Sequence, residues 1–415
     1  MMKRLHYLFA FLFLATITTT TAQWVPIDSP TFESQGIVIQ VGFSKDGVHG
    51  YAGGGTPSGG GQVIKTDDSG KTWKQIFPKN QSKFDLNLFL TTQVKDEKHA
   101  IMAGAFYNAF TEDGEKVNVA IDFFHSPSQG SGIIPGKNEF VIISGKETSV
   151  GGNSLGISKT GYDYTKFPIP DSVLNSTDFL ARYGAFPSED VWYITAGTFP
   201  SASDEKTIPL KKDVKIFNKH IHVDANRMSI NWAKNNDDEE DHTKKSKTGG
   251  GNDIKNDSGY SAGIIKTTDG GKTWTVVYKN FNTGDNIYPN GIDCFTEKHC
   301  IAVLEGESAR IIVTRDGGAT WKQTLMDNDP HSSLMDVKML SDTEAWAAGG
   351  HPESGDFEGR FFHSLDGGNT WTKESIKGIY IVSLDMLTTK SGYAVSLTQS
   401  QPAGIKLFKY TPSKK

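Results

Sequence analysis

Four near-copies of one eight-residue phrase punctuate this sequence: Thr66-x-Asp68-x-Gly70-x-Thr72-Trp73, Thr267-x-Asp269-x-Gly271-x-Thr273-Trp274, Thr314-x-Asp316-x-Gly318-x-Thr320-Trp321 and Ser364-x-Asp366-x-Gly368-x-Thr370-Trp371. The last three begin 47 and 50 residues apart, a period that marks an array of like supersecondary units. Each copy follows a short apolar run (Val63-Ile64, Ile264-Ile265, Ile311-Ile312-Val313, Phe361-Phe362) and so reads as a tight turn between two strands. Asp-Gly or Ser-Gly supplies the residues that tolerate left-handed backbone angles. The Asp carboxylate accepts turn amides, and the Trp is large enough to fill the gap between neighbouring sheets.

A second pattern leads into these phrases: an alternating strand, a polar turn, then a strand ending in small residues. It recurs at Val38 to Gly55, Leu86 to Gly104, Phe179 to Gly197, Ile292 to Gly306, Leu334 to Gly350 and Ile379 to Ser396. With the phrase linking a third strand to a fourth, each unit is a four-stranded blade. A weaker seventh unit takes Val117 to Phe124 and Glu139 to Gly145 as its first strands, and Ile157 to Phe167 as a decayed phrase retaining Thr160, Thr165 and Phe167. Seven blades are expected, or six if the second and third units are one blade with an insertion. Gln23-Trp24-Val25-Pro26-Ile27 resembles the strand after each Thr-Trp, while the last unit runs out after Lys406 to Tyr410. The N-terminal strand is therefore expected to complete the last blade and close the ring, which removes exposed sheet edges.

The phrase resembles the Asp-box, or BNR, repeat. Proteins that carry it in series are β-propellers: sialidases, some glycoside hydrolases, sortilin-type receptors and photosystem II assembly factors of the Ycf48/HCF136 type. The resemblance covers most of residues 23 to 411 and implies an all-β propeller with its boxes on the rim, away from the active centre. It leaves function open.

Ahead of the first strand, residues 1–22 read as a secretory signal peptide: basic Lys3 and Arg4, an apolar run from Leu8 to Ile17, and small residues ending at Ala22. The run is too short to span a bilayer, and no other segment approaches a membrane helix. Residues 23–415 are expected to form one propeller domain, secreted or luminal after cleavage near Ala22, and monomeric. An insertion at about 201–261 breaks the rhythm, and its core, Asn235 to Gly251, strings acids, lysines and glycines into a flexible segment. Cys294 and Cys300 flank what reads as a hairpin, placed to bond across adjacent strands in an oxidising compartment. Two independent buried thiols are the alternative. Asn80, Asn175 and Asn256 stand in N-glycosylation sequons in expected loops.

With a net charge of −5 and six arginines in the chain, the phosphate-binding term that nucleic-acid recognition needs is absent. No Gly-rich phosphate loop, Gly-x-Ser-x-Gly elbow or His-Glu-x-x-His helix occurs, and no cofactor is expected. His220, His222 and Asp224 alternate along one strand face, a weak metal candidate without an evident fourth ligand. In a four-stranded blade the first–second and third–fourth turns share one end, while the second–third loops and the blade-to-blade connections gather at the other. A ligand, protein or glycan, is expected at this second end, where Asp329 and His331 lie among long polar loops. A glycosidase would need two carboxylates across the scissile bond, for which Glu305, Glu353 and Asp356 are the candidates. A sialidase is disfavoured, because the arginine clamp its resemblance implies is not legible. The sequence therefore points first to a non-catalytic binding or scaffold propeller, and second to a glycoside hydrolase.

Overall fold

The computed structural model describes residues 23–27, 37–55, 61–78, 89–104, 107–121, 128–145, 153–173, 180–198, 214–216, 219–223, 230–232, 261–280, 287–306, 308–329, 331–352, 356–399 and 405–412. Seven four-stranded antiparallel sheets stand in a ring. Strands are lettered A to D from the inside of each blade outward. Blade 1 comprises Ile37–Phe43, Gly50–Gly55, Gly61–Thr66 and Lys74–Phe77. Blade 2 comprises Phe89–Val94, Ala100–Gly104, Tyr107–Thr111 and Asn118–Ile121. Blade 3 comprises Ser128–Ile134, Glu139–Ser144, Ser154–Ser158 and Thr165–Pro168. Blade 4 comprises Leu180–Ala185, Trp192–Thr198, Ser261–Thr267 and Thr275–Asn280.

Blade 5 comprises Tyr288–Cys294, Cys300–Glu305, Arg310–Thr314 and Lys322–Met326. Blade 6 comprises Ser333–Met339, Ala345–His351, Glu358–Ser364 and Thr372–Lys377. Blade 7 takes Ile379–Thr388, Ser391–Thr398 and Ile405–Thr411 from the end of the chain and its D strand, Gln23–Ile27, from the beginning. Gln23 pairs with Thr411 and Ile27 with Leu407, so the ring closes as expected.

Two boundaries differ from the sequence reading. Asn118–Ile121 is strand D of blade 2, not strand A of blade 3, which is Ser128–Ile134. The segment taken as a loop around Phe106 to Glu115 holds strand C of blade 2. Its turn is a box reduced to Thr111, Asp113 and Gly114, with the Gly114 amide donating to Thr111 Oγ1 at 2.9 Å and the Glu115 and Lys116 amides to Asp113 Oδ1 at 2.8 Å. Blade 3 keeps less still: Ser158 Oγ accepts from Gly161 N at 2.8 Å. Within the insertion a three-stranded sheet, Val214–Ile216, Lys219–Val223 and Ile230–Trp232, is present. Its expected flexible core, Asn235 to Gly251, lies outside the described residues, as do residues 1–22.

The core is divided among the gaps between blades. Seven apolar clusters occur among the described residues, one per gap. A four-stranded blade has two apolar faces, and each is buried only by its neighbour. Box tryptophans enter these clusters from the rim: Trp73 packs between blades 7 and 1, Trp274 between 3 and 4, Trp321 between 4 and 5, Trp371 between 5 and 6.

The box turns are alike to within a few tenths of an ångström. In blade 5, Thr314 Oγ1 donates to Asp316 Oδ1 at 2.9 Å and accepts from Gly318 N at 2.8 Å. Asp316 also accepts from Thr320 N at 2.9 Å and Thr320 Oγ1 at 2.6 Å. Gly318 sits at φ 89°, with Val277 where a Cβ would project, so only glycine fits. These hydrogen bonds favour the ionised carboxylate, and Asp68, Asp269, Asp316 and Asp366 are all held at about 2.

Three blades share a further device at the box end. Tyr51, Tyr193 and Tyr393 on strand B pair in register with Lys65, Lys266 and Lys409 on strand C, whose ammonium groups lie 5.8, 5.0 and 5.3 Å from the ring centres. Each phenol then reaches into the next blade: Tyr51 to Glu97 O at 2.6 Å, Tyr193 to Glu297 O at 2.7 Å, Tyr393 to Ser69 O at 2.9 Å.

Candidate functional site

The antiparallel order puts A–B and C–D turns, hence the boxes, at one end of the ring. The B–C loops and D–A connections meet at the other, the loop end. There the first residues of the A strands converge on the channel mouth. Asn290 of blade 5 accepts from Arg182 Nη1 of blade 4 at 3.3 Å and donates to Glu305 Oε2 at 2.7 Å and to Leu334 O of blade 6 at 2.9 Å. The Arg182 guanidinium lies 4.4 Å from the Tyr288 ring centre and 5.0 Å from that of Tyr183. Ser333 and Tyr380 share a hydrogen bond at 2.6 Å across blades 6 and 7. Burial pushes the Tyr183 and Tyr380 phenols up, so both stay neutral. Arg182 and Glu305 are each only 1% exposed. Their burial is tolerable because polar partners surround them.

A second charged cluster closes the loop end between blades 5 and 6. Arg360, at the start of strand C, donates to Asp327 Oδ2 at 2.8 Å, Asp329 Oδ2 at 2.6 Å and Glu358 Oε1 at 3.2 Å. His351, at the end of strand B, meets Asp329 Oδ2 at 2.8 Å, and the His331 ring stands 5.9 Å from that of His351. Burial alone would raise Asp329, but the His331 amide, Arg360 and His351 outweigh it and hold the carboxyl below its ordinary value. Ser375 and Arg360 lower Glu358 against its burial.

Deeper in the channel, toward the box end, carboxylates link one A strand to the next. Asp293 of blade 5 accepts from Met339 N of blade 6 at 2.7 Å, Asp336 of blade 6 from Leu384 N of blade 7 at 2.9 Å, and Asp385 of blade 7 from Phe43 N of blade 1 at 2.9 Å. Gln40 continues the series with Thr92 N of blade 2 at 2.6 Å. Lys338 stands among the three carboxylates; Asp293, above all, raises its ammonium pKa against burial. Burial pushes Asp336 up to about 7, against the Leu384 amide and Lys338, and raises Asp385 as well.

Of the carboxylates the sequence offered for hydrolysis, Glu305 is buried in the channel mouth, Asp356 is exposed in the blade 6 B–C loop, and Glu353 lies outside the described residues. His220 and His222 fall on the middle strand of the insertion sheet, in register with Lys215 and Asn231, while Asp224 lies outside the described residues. Among the described residues no group of three metal-ligating side chains occurs. Asn80, Asn175 and Asn256 also lie outside them. Cys294 and Cys300 form the disulfide, facing each other across strands A and B of blade 5.

The sequence reading passed over Asn290 and the carboxylate series. Its signal is an acid within an otherwise apolar A strand, as in Leu334-Met335-Asp336-Val337, where burial makes an acid unexpected. The Tyr–Lys pairs were legible too, at matched positions of strands B and C.

No protein-family model matches this sequence, and no curated protein matches it. Solved structures share its fold. YCF48 bound to D1 peptide is 12% identical, covering 94% of this chain and 99% of that one at a TM-score of 0.54. YCF48 from Cyanidioschyzon merolae is 14% identical, with 95% and 100% covered and a TM-score of 0.57. A polysaccharide lyase, an ulvan lyase, is 9% identical, with 95% of each chain covered and a TM-score of 0.50. At such identities the likeness is one of fold.

Proposed function

We propose that this chain is an exported, non-catalytic propeller that holds a protein partner at its loop end. The supporting observation is that the charged groups there are spent on one another. A glycosidase needs one carboxyl kept protonated and a second kept ionised, about 5 to 10 Å apart. Asp329 and Glu358 are instead both lowered by Arg360 and its neighbours. The raised channel carboxyls, Asp336 and Asp385, lie deep in the channel holding backbone amides of the next blade, and Asp336 has both oxygens taken by the Val337 and Leu384 amides. Such a mouth is a rigid, patterned surface suited to binding. A solved propeller of the same fold is a YCF48 bound to a D1 peptide, which makes a peptide or protein the first ligand class to test. The expected leader and the Cys294–Cys300 bond support export. No helix among the described residues is long and apolar enough to cross a membrane.

The test is a parallel screen of the protein against displayed peptides and a glycan array, with hydrolysis followed on the same glycans. Peptide binding that weakens at least roughly tenfold in His331→Glu or Asp356→Arg, both exposed at the loop end, is the expected result. Glycan turnover lost in Glu305→Gln would replace this reading with a carbohydrate-active enzyme. Glycan binding without turnover would make the partner a sugar.

A further inference from the structure

Arg310 stands apart from the interlocked charges of the loop end. It lies on strand C of blade 5 four residues before the box Thr314, as Arg360 lies on strand C of blade 6 four residues before Ser364. Leu304, its register partner on strand B, and Ile312, two residues on, belong to the apolar cluster between blades 4 and 5. Arg310 therefore faces that gap, as Arg360 faces the gap between blades 5 and 6. Both arginines are buried, at 9% and 6% exposure. Arg360 donates to Asp327, Asp329 and Glu358. The Arg310 Nε, by contrast, is sealed from solvent without a hydrogen-bond partner, and no ion pair to this side chain occurs among the described residues.

The repeat explains the difference. Asp327 stands six residues after the box Trp321 and Asp329 eight; the same steps after Trp274 reach Asn280 and Asn282. Glu358 stands six residues before Ser364, and the same step before Thr314 reaches Ser308. The match holds in space: Asn280 pairs with Ala262, and the Asp327 amide donates to Ala309 O, each partner lying five residues before its box Thr. Asn282 lies outside the described residues. Each acid that neutralises Arg360 thus has an amide or a hydroxyl in its place one gap back. Ser308 Oγ is itself buried without a partner among the described residues. A guanidinium presents five donors in a planar fork, and burying its charge without a counterion is costly.

We infer that the loop-end gap between blades 4 and 5 is an anion site, in which Arg310 takes the side-chain carboxylate of an aspartate or glutamate carried by the protein partner. That the anion comes from a protein rests on the loop-end reading above; the anion site itself rests on the three missing acids. The incoming group receives the guanidinium fork and the Ser308 hydroxyl, standing in for the acids that hold Arg360. A carboxylate fits better than a tetrahedral oxyanion, because the matching place in the next gap is built around carboxylates and only 9% of Arg310 is open to a ligand.

The probe is Ac-Glu-NH2, whose one carboxylate is on the side chain, titrated into the full chain beside the neutral Ac-Gln-NH2 and inorganic sulfate. The Arg310 Nε–H signal is followed by heteronuclear NMR and assigned by its loss in Arg310→Met. Saturable displacement by Ac-Glu-NH2 at roughly millimolar affinity is expected, with Ac-Gln-NH2 weaker by at least roughly tenfold. Arg310→Met, which removes an unpaired charge, should raise the melting temperature by roughly 1 to 3 °C, whereas Arg360→Met, which strands three carboxylates, should lower it. Asn280→Asp with Ser308→Glu rebuilds the blade 6 arrangement and should abolish the displacement; if that variant does not fold, the two arginine variants decide. Asp285, the one acid of residues 281–286, lies outside the described residues. Asp285→Asn should leave the probe's affinity unchanged, and tighter binding there would make the counterion internal and overturn the inference. So would sulfate binding with none of Ac-Glu-NH2, no displacement at all, or an Arg310→Met that melts as low as Arg360→Met. The loop-end reading fails separately. Displacement by Ac-Glu-NH2 when displayed peptides yield no binder removes the protein partner and keeps the anion site; selected peptides that bind Arg310→Met unchanged refute the carboxylate contact and keep the partner.

Discussion

Lys338 shows how a single side chain can carry the charge balance of a channel. Asp293, Asp336 and Asp385 each hold a backbone amide of the next blade, and Lys338 is the cation set among them. Removing one partner from such a group leaves charge without compensation. Lys338→Met should therefore cost about 2 kcal/mol near pH 8, below the value for a sealed pair because the channel admits solvent. Asp336 and Asp385 bind protons more tightly folded than unfolded. Their contribution is thus whole below about pH 4 and declines as pH rises, through about 7 for Asp336. The deficit of Lys338→Met should accordingly shrink on acidification, as protonation relieves the carboxylates. Calorimetric melts at pH 8 and pH 5 check this, and a deficit that does not change with pH would refute it. None of these roles was read from the sequence, because alternation alone marks an A-strand acid as channel-facing without saying what it grips.

The box is the element whose chemistry was most legible, since turn residues act on their own backbone and need no distant partner. Ser/Thr, Asp, Gly and Thr keep the same bonds in all four full copies. One of its decayed forms was misread for the same reason. Thr111 to Lys116 preserves the amide contacts while losing the tryptophan and the spacing, so strand C of blade 2 passed for a loop and its strand D for strand A of blade 3, whereas Ile157 to Phe167 was read as the decayed phrase of blade 3 that the structure shows. Because the box carboxylates titrate at about 2, their contribution is present above the unfolded value near 3.8 and is lost as pH falls toward 2. Asp366→Ala should flatten the acid limb of the stability curve in that window and leave its neutral limb parallel to the parent. Denaturant melts between pH 2 and pH 5 would show it; an unaltered acid limb would remove the box from the account.

At the scale of the whole molecule, the ring depends on one short strand. Trp24 stacks on Phe361 at 4.2 Å and lies near Trp346 and Tyr410, at 5.9 and 5.4 Å, filling the gap between blades 6 and 7 from the strand that closes the circle. Trp24→Ala should cost about 3 to 4 kcal/mol and make the Gln23–Ile27 strand the first site of proteolytic attack. Limited digestion with N-terminal sequencing checks this, and a variant that melts earlier but is cut first elsewhere would place the weak point in another gap. Closure was foreseen because Gln23 to Ile27 matches the other D strands, and the loop end was the end expected to hold a ligand; which side chains meet there was not legible, since they come from blades far apart in sequence. The same strand fixes an order of events during synthesis. Residues 23–27 are made first, yet their partner, Ile405–Thr411, is made last, so six blades can assemble while the seventh stays incomplete. Until the final strand emerges, the chain carries two raw sheet edges ready to pair with a stranger, and a cell that makes this protein must shelter them for the whole interval of translation.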